Sequence, residues 1–466
     1  MSAFIAVLLS VVMLFNNTVL ETVKYEAVKY KSRAVAKSGV YSVLSDYDYK
    51  IKDKYGLYVL YDDNTKYKDK LSLIIDENIK YENNNGFLKI GMNLLNTKSE
   101  GLGSLSGLKE QILDYCKYRV PLGIVEEFIT RSGDLLNKVG IDISGYDKKY
   151  EDRVPDEDEE LPEEYEEYDM RDKAKDIMKD MNKESEKNIK IESSIYKNLP
   201  SKNIVKSSTD VDFDKIVSDF SDIDMSDDDA DKKIKSCVDD IIKNEKFDLS
   251  SVYNELLINE YILNVFNSKP YTNNSSSYLK NEAEYIIFGK DSDDKNANYM
   301  KALVIAIRYV FNLIYIYNDD GIVLAADIAA CIATAIVLFY GQGVVKNLIL
   351  LGWCFVESWE DYDLLAQGKP VPLYKTSETW KTWFNYDKNA TGKISLTYKD
   401  YLRIFLLFVP EDLKLARILD LIQLNVSKER GTFNVLNTVT NITVSYEIIF
   451  DGKRRVPAKL EVSYGY

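Results

Sequence analysis

The residues that could carry chemistry in this chain are few, and their spacing argues against most of it. Histidine is absent, which removes the commonest general base and the commonest zinc ligand. Cys116, Cys237, Cys331 and Cys354 stand far apart, so neither a Cys-x-x-Cys metal pair nor a disulfide framework is expected. No Walker loop, Gly-x-Ser-x-Gly or Gly-x-Gly-x-x-Gly occurs. The nearest approach to a metal site is Asp387-Lys-Asn389-Ala-Thr391-Gly392-Lys-Ile394-Ser395, which follows the first nine positions of an EF-hand loop. Its twelfth position, where a bidentate Glu closes the calcium shell, is Tyr398, so the stretch reads as a polar surface turn. Acidic runs at Asp156–Glu160 and 227–229 lack a turn glycine and read as solvated charge. The expectation is therefore a non-catalytic protein with no cofactor and no metal site. A net charge of −15 also excludes a phosphate-binding groove, so no nucleic-acid partner is expected.

One carboxylate has an unusual address. Glu21 is the only charge between Ser2 and Val23, a stretch that includes an apolar run from Phe4 to Phe15 broken only by Ser10. At ~1.5 Å per residue such a stretch is long enough to cross the ~30 Å core of a bilayer. An ionisable residue in a segment of this kind tends to be paired or functional, so Glu21 is the candidate assembly residue. The alternative places it at headgroup level, paired with Lys24. A cleaved signal peptide competes with an uncleaved anchor for the whole stretch. No basic residue precedes the run and no Ala-x-Ala follows it, which favours the anchor.

The rest of the chain reads as follows. Val23, Ala27, Tyr30, Ala34, Tyr41 and Leu44 continue a helical period, carrying the first helix to about Tyr49. Strands are expected at 55–61 and 87–92, with helices at 66–82, 105–119 and 122–139. Residues 147–250 form an acidic, partly helical and partly disordered insertion. Residues 251–425 are mainly helical. Tyr299–Tyr317, interrupted by Lys301 and Arg308, is apolar on almost every side, and so is Ile322–Tyr340 apart from Asp327. These read as protein core, with a second membrane span at 322–340 as the alternative. At the C-terminus Ile442, Val444, Tyr446 and Ile448 alternate with polar residues, Asp451-Gly452 suits a hairpin turn, and Leu460, Val462, Tyr464 and Tyr466 return. Lys453-Arg-Arg455 reads as a solvated hairpin end. The 35 tyrosines read mostly as half-buried core, with a tyrosine-rich binding face as the alternative. The expected fold class is α+β: an N-terminal transmembrane helix (1–23) running into a long helix and an α/β segment (24–146), the acidic insertion (147–250), a helical domain (251–425), and a C-terminal hairpin (426–466) joining a small antiparallel sheet.

Several pieces, in order, resemble an uncharacterised family of membrane-anchored proteins from low-GC Gram-positive bacteria, itself similar to the TadE/TadG-like pseudopilins of Tad-type pilus systems. They are Leu20-Glu21-Thr-Val-Lys with Asp53-Lys-Tyr55-Gly56-Leu57; Glu284-Tyr285 through Phe288-Gly289-Lys290; Trp353 through Glu357; and Gly368 through Thr376. Tyr398 through Arg403, Arg417 with Asp420-Leu421-Ile422, and the Tyr-rich last strand complete the set. The resemblance implies a single-span structural subunit of a pilus or secretion apparatus. It implies partners in the membrane and among the other subunits, a body outside the cell, and no catalytic residues. A membrane-anchored surface binding module or adhesin is the alternative. Taken alone, Lys24, Lys29, Lys31, Arg33 and Lys37 after the anchor would place the body in the cytoplasm.

Overall fold

The computed structural model describes residues 2–62, 66–86, 88–119, 170–181, 183–185, 187–205, 212–224, 230–242, 253–273, 275–318, 322–323, 326, 330, 342–380, 395–449 and 458–466. The helix expected at 122–139, the two acidic runs, Asp327, Cys331, the calcium-like loop up to Ile394 and the hairpin tip with Lys453–Arg455 lie outside the described residues. The architecture is α+β, with a long N-terminal apolar helix, a small antiparallel sheet with a C-terminal hairpin, and many helices. The chain divides into two compact units, 1–115 with 429–466, and 116–428.

In the first unit, α1 (Ser2–Leu44) is one helix of 43 residues, about 64 Å long. Its two halves differ. Every described residue from Ala3 to Lys24 is exposed, whereas Val28, Ser32, Val35, Ala36, Val40, Val43 and Leu44 are buried. The buried set recurs at three, four and seven, a single stripe, but not the one the apolar period marked: of Val23, Ala27, Tyr30, Ala34, Tyr41 and Leu44 only Leu44 is buried, and the packed face lies beside it. That stripe packs on Tyr67, Leu71 and Ile75 of α3 (Lys66–Asn85) and on the inner face of the sheet.

The sheet comprises β2 (Gly91–Glu100), β4 (Asn441–Ile449) and β5 (Ala458–Gly465), antiparallel with β4 central. Ile442, Val444, Tyr446 and Ile448 alternate inward and are fully buried, as their spacing dictates. The hairpin register pairs Ile442 with Tyr464 and Val444 with Val462. β2 pairs Met92 with Ile448 and Leu94 with Tyr446, and its register shifts between Leu94 and Asn96.

The first unit departs from expectation in three places. The helix expected to run to Tyr49 stops at Leu44. The strand expected over 55–61 shrinks to β1 (Leu60–Tyr61), which pairs with β3 (Thr438–Val439) as a separate ribbon. Two features take its place: the Gln111 side chain bonds both the N–H and the C=O of Tyr58, where a partner strand would, and Asp48, whose carboxylate accepts from the N–H groups of Lys50 and Ile51, starts α2 (Tyr49–Tyr55), which takes Tyr55. Gly56, at φ 70°, ends that helix. The strand expected at 87–92 begins only at Gly91, because Asn83 brackets Ile90 with two hydrogen bonds and holds the preceding loop. α4 (Leu105–Arg119) falls where its pattern places it.

The described helices of the second unit are α5 (Arg171–Asp180), α6 (Ser193–Lys197), α7 (Pro200–Ile204), α8 (Phe213–Ser221), α9 (Ala230–Ile242), α10 (Tyr253–Val265), α11 (Glu282–Phe288), α12 (Asp293–Ile316), α13 (Gln342–Ala366), α14 (Tyr398–Leu407) and α15 (Glu411–Arg430). α12 is apolar and long enough to cross a membrane, yet most of its apolar stretch is buried among its neighbours, as a core helix is. Within 170–242, expected to be solvated, the described helices bury Met178, Phe213, Ile216, Val217, Phe220 and Ile234. α8 and α9 pack on α12, and α5 packs on α13. Asp172 and Asp176 of α5 and Asp214 and Asp219 of α8 are exposed, opposite the buried residues of the same helices.

Candidate functional site

Two regions hold residues that the sequence singles out. The first is the bare half of α1. Its hydroxyls bond back to their own helix: Ser10 Oγ donates to Val7 O at 2.7 Å, Thr18 Oγ1 to Leu14 O at 2.9 Å and Thr22 Oγ1 to Thr18 O at 2.9 Å. These side chains therefore ask nothing of the surroundings, which suits an apolar medium. Glu21 is exposed on this half and pairs with no described residue; the expected partner Lys24 is not bonded to it. The neighbouring pair that does form is Glu26–Lys29, at 3.4 Å.

The second region is a buried polar lattice in the 116–428 unit, assembled from the scattered motif pieces. Glu284 on α11 is fully buried. Its Oε1 accepts from the Lys269 N–H at 3.0 Å and from the Tyr398 hydroxyl at 2.8 Å, while Oε2 has no partner. Burial pushes this carboxyl up to about 7, against the pull of those hydrogen bonds. Beside it on the helix, the Tyr285 hydroxyl donates to Asp420 Oδ2 at 2.9 Å, and Asp420 Oδ1 accepts from the Ser201 N–H at 2.9 Å. Burial raises the Asp420 carboxyl above its ordinary range even so. Glu282 accepts from the Asn267 N–H and from Asn425 Nδ2, at 2.9 and 2.7 Å. α11 ends at Gly289, φ 61°, and Arg417 Nη1 donates to the carbonyls of Ile286 and Ile287 at 2.8 and 2.6 Å. These orphan carbonyls of a short helix are thus met by a cation, which also complements the helix dipole.

A box of four charges joins α12 to α13. Arg308 donates from Nε and Nη2 to Asp361 Oδ2, at 3.0 and 2.8 Å, and from Nη1 to Leu373 O at 3.1 Å. Lys375 Nζ reaches Asp361 Oδ1 at 2.7 Å and also bonds Glu357. Asn312 lies one turn from Arg308 and donates to Ser358 Oγ and Asp361 Oδ2. Arg308, Glu357, Asp361 and Lys375 all have fully buried side chains, and the two cations balance the two carboxylates. Burial alone would lower the Arg308 guanidinium; Asp361 beside it reverses this and raises it. Arg403 spans Glu260 and Asp400 in the same manner near the surface, at 2.5 and 2.7 Å.

Chemically, these groups answer one another. The carboxylates accept backbone N–H, tyrosine hydroxyl and cationic donors, which is how a core fixes its geometry. No group of three or more Cys, Asp or Glu placed to hold a metal occurs among the described residues. Tyr398, where a calcium loop would need its Glu, is buried and committed to Glu284. The thiols are held as weak donors: Cys116 Sγ to Leu257 O at 3.3 Å and Cys354 Sγ to Tyr309 O at 3.2 Å. Burial pushes the Cys116 thiol up to about 12 and raises that of Cys354, which keeps both from nucleophilic chemistry. Sequence reasoning marked Arg308 only as an interruption and Lys375 only as part of a motif. The usable signal was the interruption itself: an arginine in an otherwise apolar helix requires a buried counter-charge.

In the first unit five tyrosines, Tyr41, Tyr47, Tyr58, Tyr464 and Tyr466, gather at the C-terminal end of α1. Tyr47 meets Tyr58 edge-on at 5.1 Å, Tyr58 stacks on Tyr466 at 5.4 Å, and Tyr41 meets Tyr464 at 3.9 Å. Lys52 Nζ lies 5.2 Å from both the Tyr47 and the Tyr58 ring centres.

Fold and lattice together define an α+β protein with an N-terminal helix able to span a bilayer and a helical unit ordered by buried charge. The chain belongs to a family of unknown function, DUF5702, whose profile matches residues 169–449, more than half of its length. That match takes in α5 to α9 as well as the residues of the lattice. Comparison with curated proteins and with solved structures gives no match.

Proposed function

We propose that the chain is a non-catalytic, membrane-anchored structural subunit, a pseudopilin-like component of a Tad-type pilus or secretion apparatus with its body outside the cell. The observation that carries this reading is the division of α1. One uninterrupted helix is bare for its first half and becomes the spine of a small antiparallel sheet in its second. A bare apolar half of about 33 Å matches a bilayer core in length and leaves a lateral surface on which hydrophobic helices of other subunits can pack. Glu21 is the polar group such packing would have to neutralise. The buried charges are engaged with one another, which supports a structural over a catalytic role.

The test uses the full chain in cells that carry the apparatus. The reading expects the protein to resist carbonate extraction, to be cut by protease on intact cells, and to co-purify with other apparatus subunits. Glu21→Gln should still insert but lose co-purification. A protein that extracts into carbonate, or that stays protected from external protease, refutes the reading. The half-exposed tyrosine cluster around Lys52 favours a second reading, a surface binding module or adhesin. Glycan-array binding lost on Tyr58→Ala, with no apparatus subunit co-purifying, would favour that one.

A further inference from the structure

α3 runs antiparallel to α1, so the first unit has two distinct ends. Asp46 pairs with Lys70 at the far end, Gly39 abuts Leu71 and Ile75 midway, and Lys31 pairs with Glu82 at 2.8 Å at the near end. The bare half of α1 leaves from this near end. The start of β2 and the end of β4 also lie there, with Gly91 opposite Ile449. Here the surface changes character. Tyr30 is 76% exposed and Tyr81 67%, Ile449 is partly open, and Lys24, Lys80 and Lys89 project outward. The carboxylates Glu26 and Glu82 are already held by Lys29 and Lys31. A chain of net charge −15 therefore presents three outward lysines, two tyrosines and one open isoleucine where its apolar helix emerges, against the exposed carboxylate of Glu21 a turn before Lys24. On α1 the Cα–Cβ bonds tilt toward the N-terminus, which aims Lys24 and Tyr30 at the plane into which the helix enters.

We propose that this end of the first unit is a docking surface for anionic phospholipid headgroups. Lys24, Lys80 and Lys89 engage headgroup phosphates, and Tyr30, Tyr81 and Ile449 enter the interfacial layer. The occupant follows from continuity. The surface adjoins the segment read as spanning the bilayer, and its residue types are those that settle at a headgroup boundary. It rests on that reading of residues 2–23 and extends it from an anchor to a body seated on the membrane. The cations after the span then have a role with the body outside the cell, where a charge rule alone would not place them.

The experiment reconstitutes the full chain in vesicles of phosphatidylcholine with or without phosphatidylglycerol. Tyr81→Cys carries a nitroxide, Tyr49→Cys at the far end carries the comparison label, and the wild-type chain gives the labelling background. In phosphatidylglycerol vesicles the label at 81 should be severalfold less accessible to an aqueous nickel complex than the label at 49. That protection should fall in phosphatidylcholine alone, in high salt, and in a Lys80→Glu/Lys89→Glu variant. If the chain does not resist carbonate extraction from the vesicles, the anchor reading fails and the proposal with it. If the chain is inserted but 81 and 49 are equally accessible, the docking surface is refuted while the anchor stands. Protection indifferent to lipid charge refutes recognition of anionic headgroups. Protection that tracks the protein-to-lipid ratio assigns the surface to a second copy of the chain and overturns the proposal.

Discussion

Replacing Glu284 with Gln should remove a specific pH dependence from the stability of the helical unit. In the folded protein the carboxyl titrates near 7, against 4.5 for an ordinary glutamate. Between those values the folded chain keeps a proton that the unfolded chain has lost. The folded state then binds more protons, so stability falls as pH rises from about 4.5 and levels off above about 7. A separation of this size corresponds to about 3 kcal/mol, with no discount for solvent because the group is fully buried. Gln retains an oxygen to accept from the Lys269 N–H and the Tyr398 hydroxyl and never ionises. All four tryptophans lie within 353–383, so their fluorescence reports on this unit during urea unfolding of the full chain in detergent. Other buried acids shift in the same sense, Asp420 among them, so the informative quantity is the difference between variant and wild type. That difference should be near zero around pH 4.5 and grow to about 3 kcal/mol in favour of the variant by pH 8. A difference that does not change with pH, or a wild type that is the more stable at pH 8, would refute the reasoning.

Three further outcomes follow from the packing. Lys375→Met should cost about 3–5 kcal/mol in the same unfolding assay, because it removes the ammonium that bonds both Glu357 and Asp361, whose side chains are fully buried. A loss below about 1 kcal/mol would mean the box relaxes into water. Phe220→Ala should cost about 3–5 kcal/mol, since that ring is fully buried in α8; a negligible loss would show that 213–221 adds nothing to the core. Gly289→Ala should cost roughly 1–3 kcal/mol, from the left-handed backbone and from a Cβ 2.7 Å from Arg417 Nε, and Arg417→Ala should abolish the steric part of that cost in a double-mutant cycle.

Where one residue's neighbours in sequence are also its neighbours in space, the chain is legible. The helical period of α1 and the alternation of β4 and β5 are of that kind; the alternation buries the residues it marks, whereas the period gives the helix but not its face, since of Val23, Ala27, Tyr30, Ala34, Tyr41 and Leu44 only Leu44 is buried. Residues 55–61 were read as strand because Tyr, Val and Leu dominate; α2, capped at Asp48, takes Tyr55, Gly56 turns left-handed, and only Leu60 and Tyr61 pair as strand. β2 hides for another reason. It is a polar edge strand, and a register shift near Leu95 breaks its alternation. Of the helices between 171 and 242, α5 and α8 bury a few apolar residues beside exposed acidic ones, so their charge swamps the pattern. The lattice is the least legible part, although its residues were all in view. Glu284 meets Tyr398 across 114 residues and Arg403 meets Glu260 across 143, distances no periodicity spans. Glu21 was legible only as an address; among described residues it touches nothing that would assign it a task.

The continuity of α1 has a mechanical side. No proline or glycine interrupts it before Gly39, and its second half is clamped between α3 and the sheet. It is a shaft without a universal joint. In an anchored chain, a tilt of about 20° within the bilayer would swing the far end of a 64 Å rod sideways by about 22 Å and carry the first unit with it. Rotation about the helix axis is passed on in the same way, one degree for one degree. A pull applied to the membrane end therefore acts directly on the core of the first unit, with no compliant segment to absorb it.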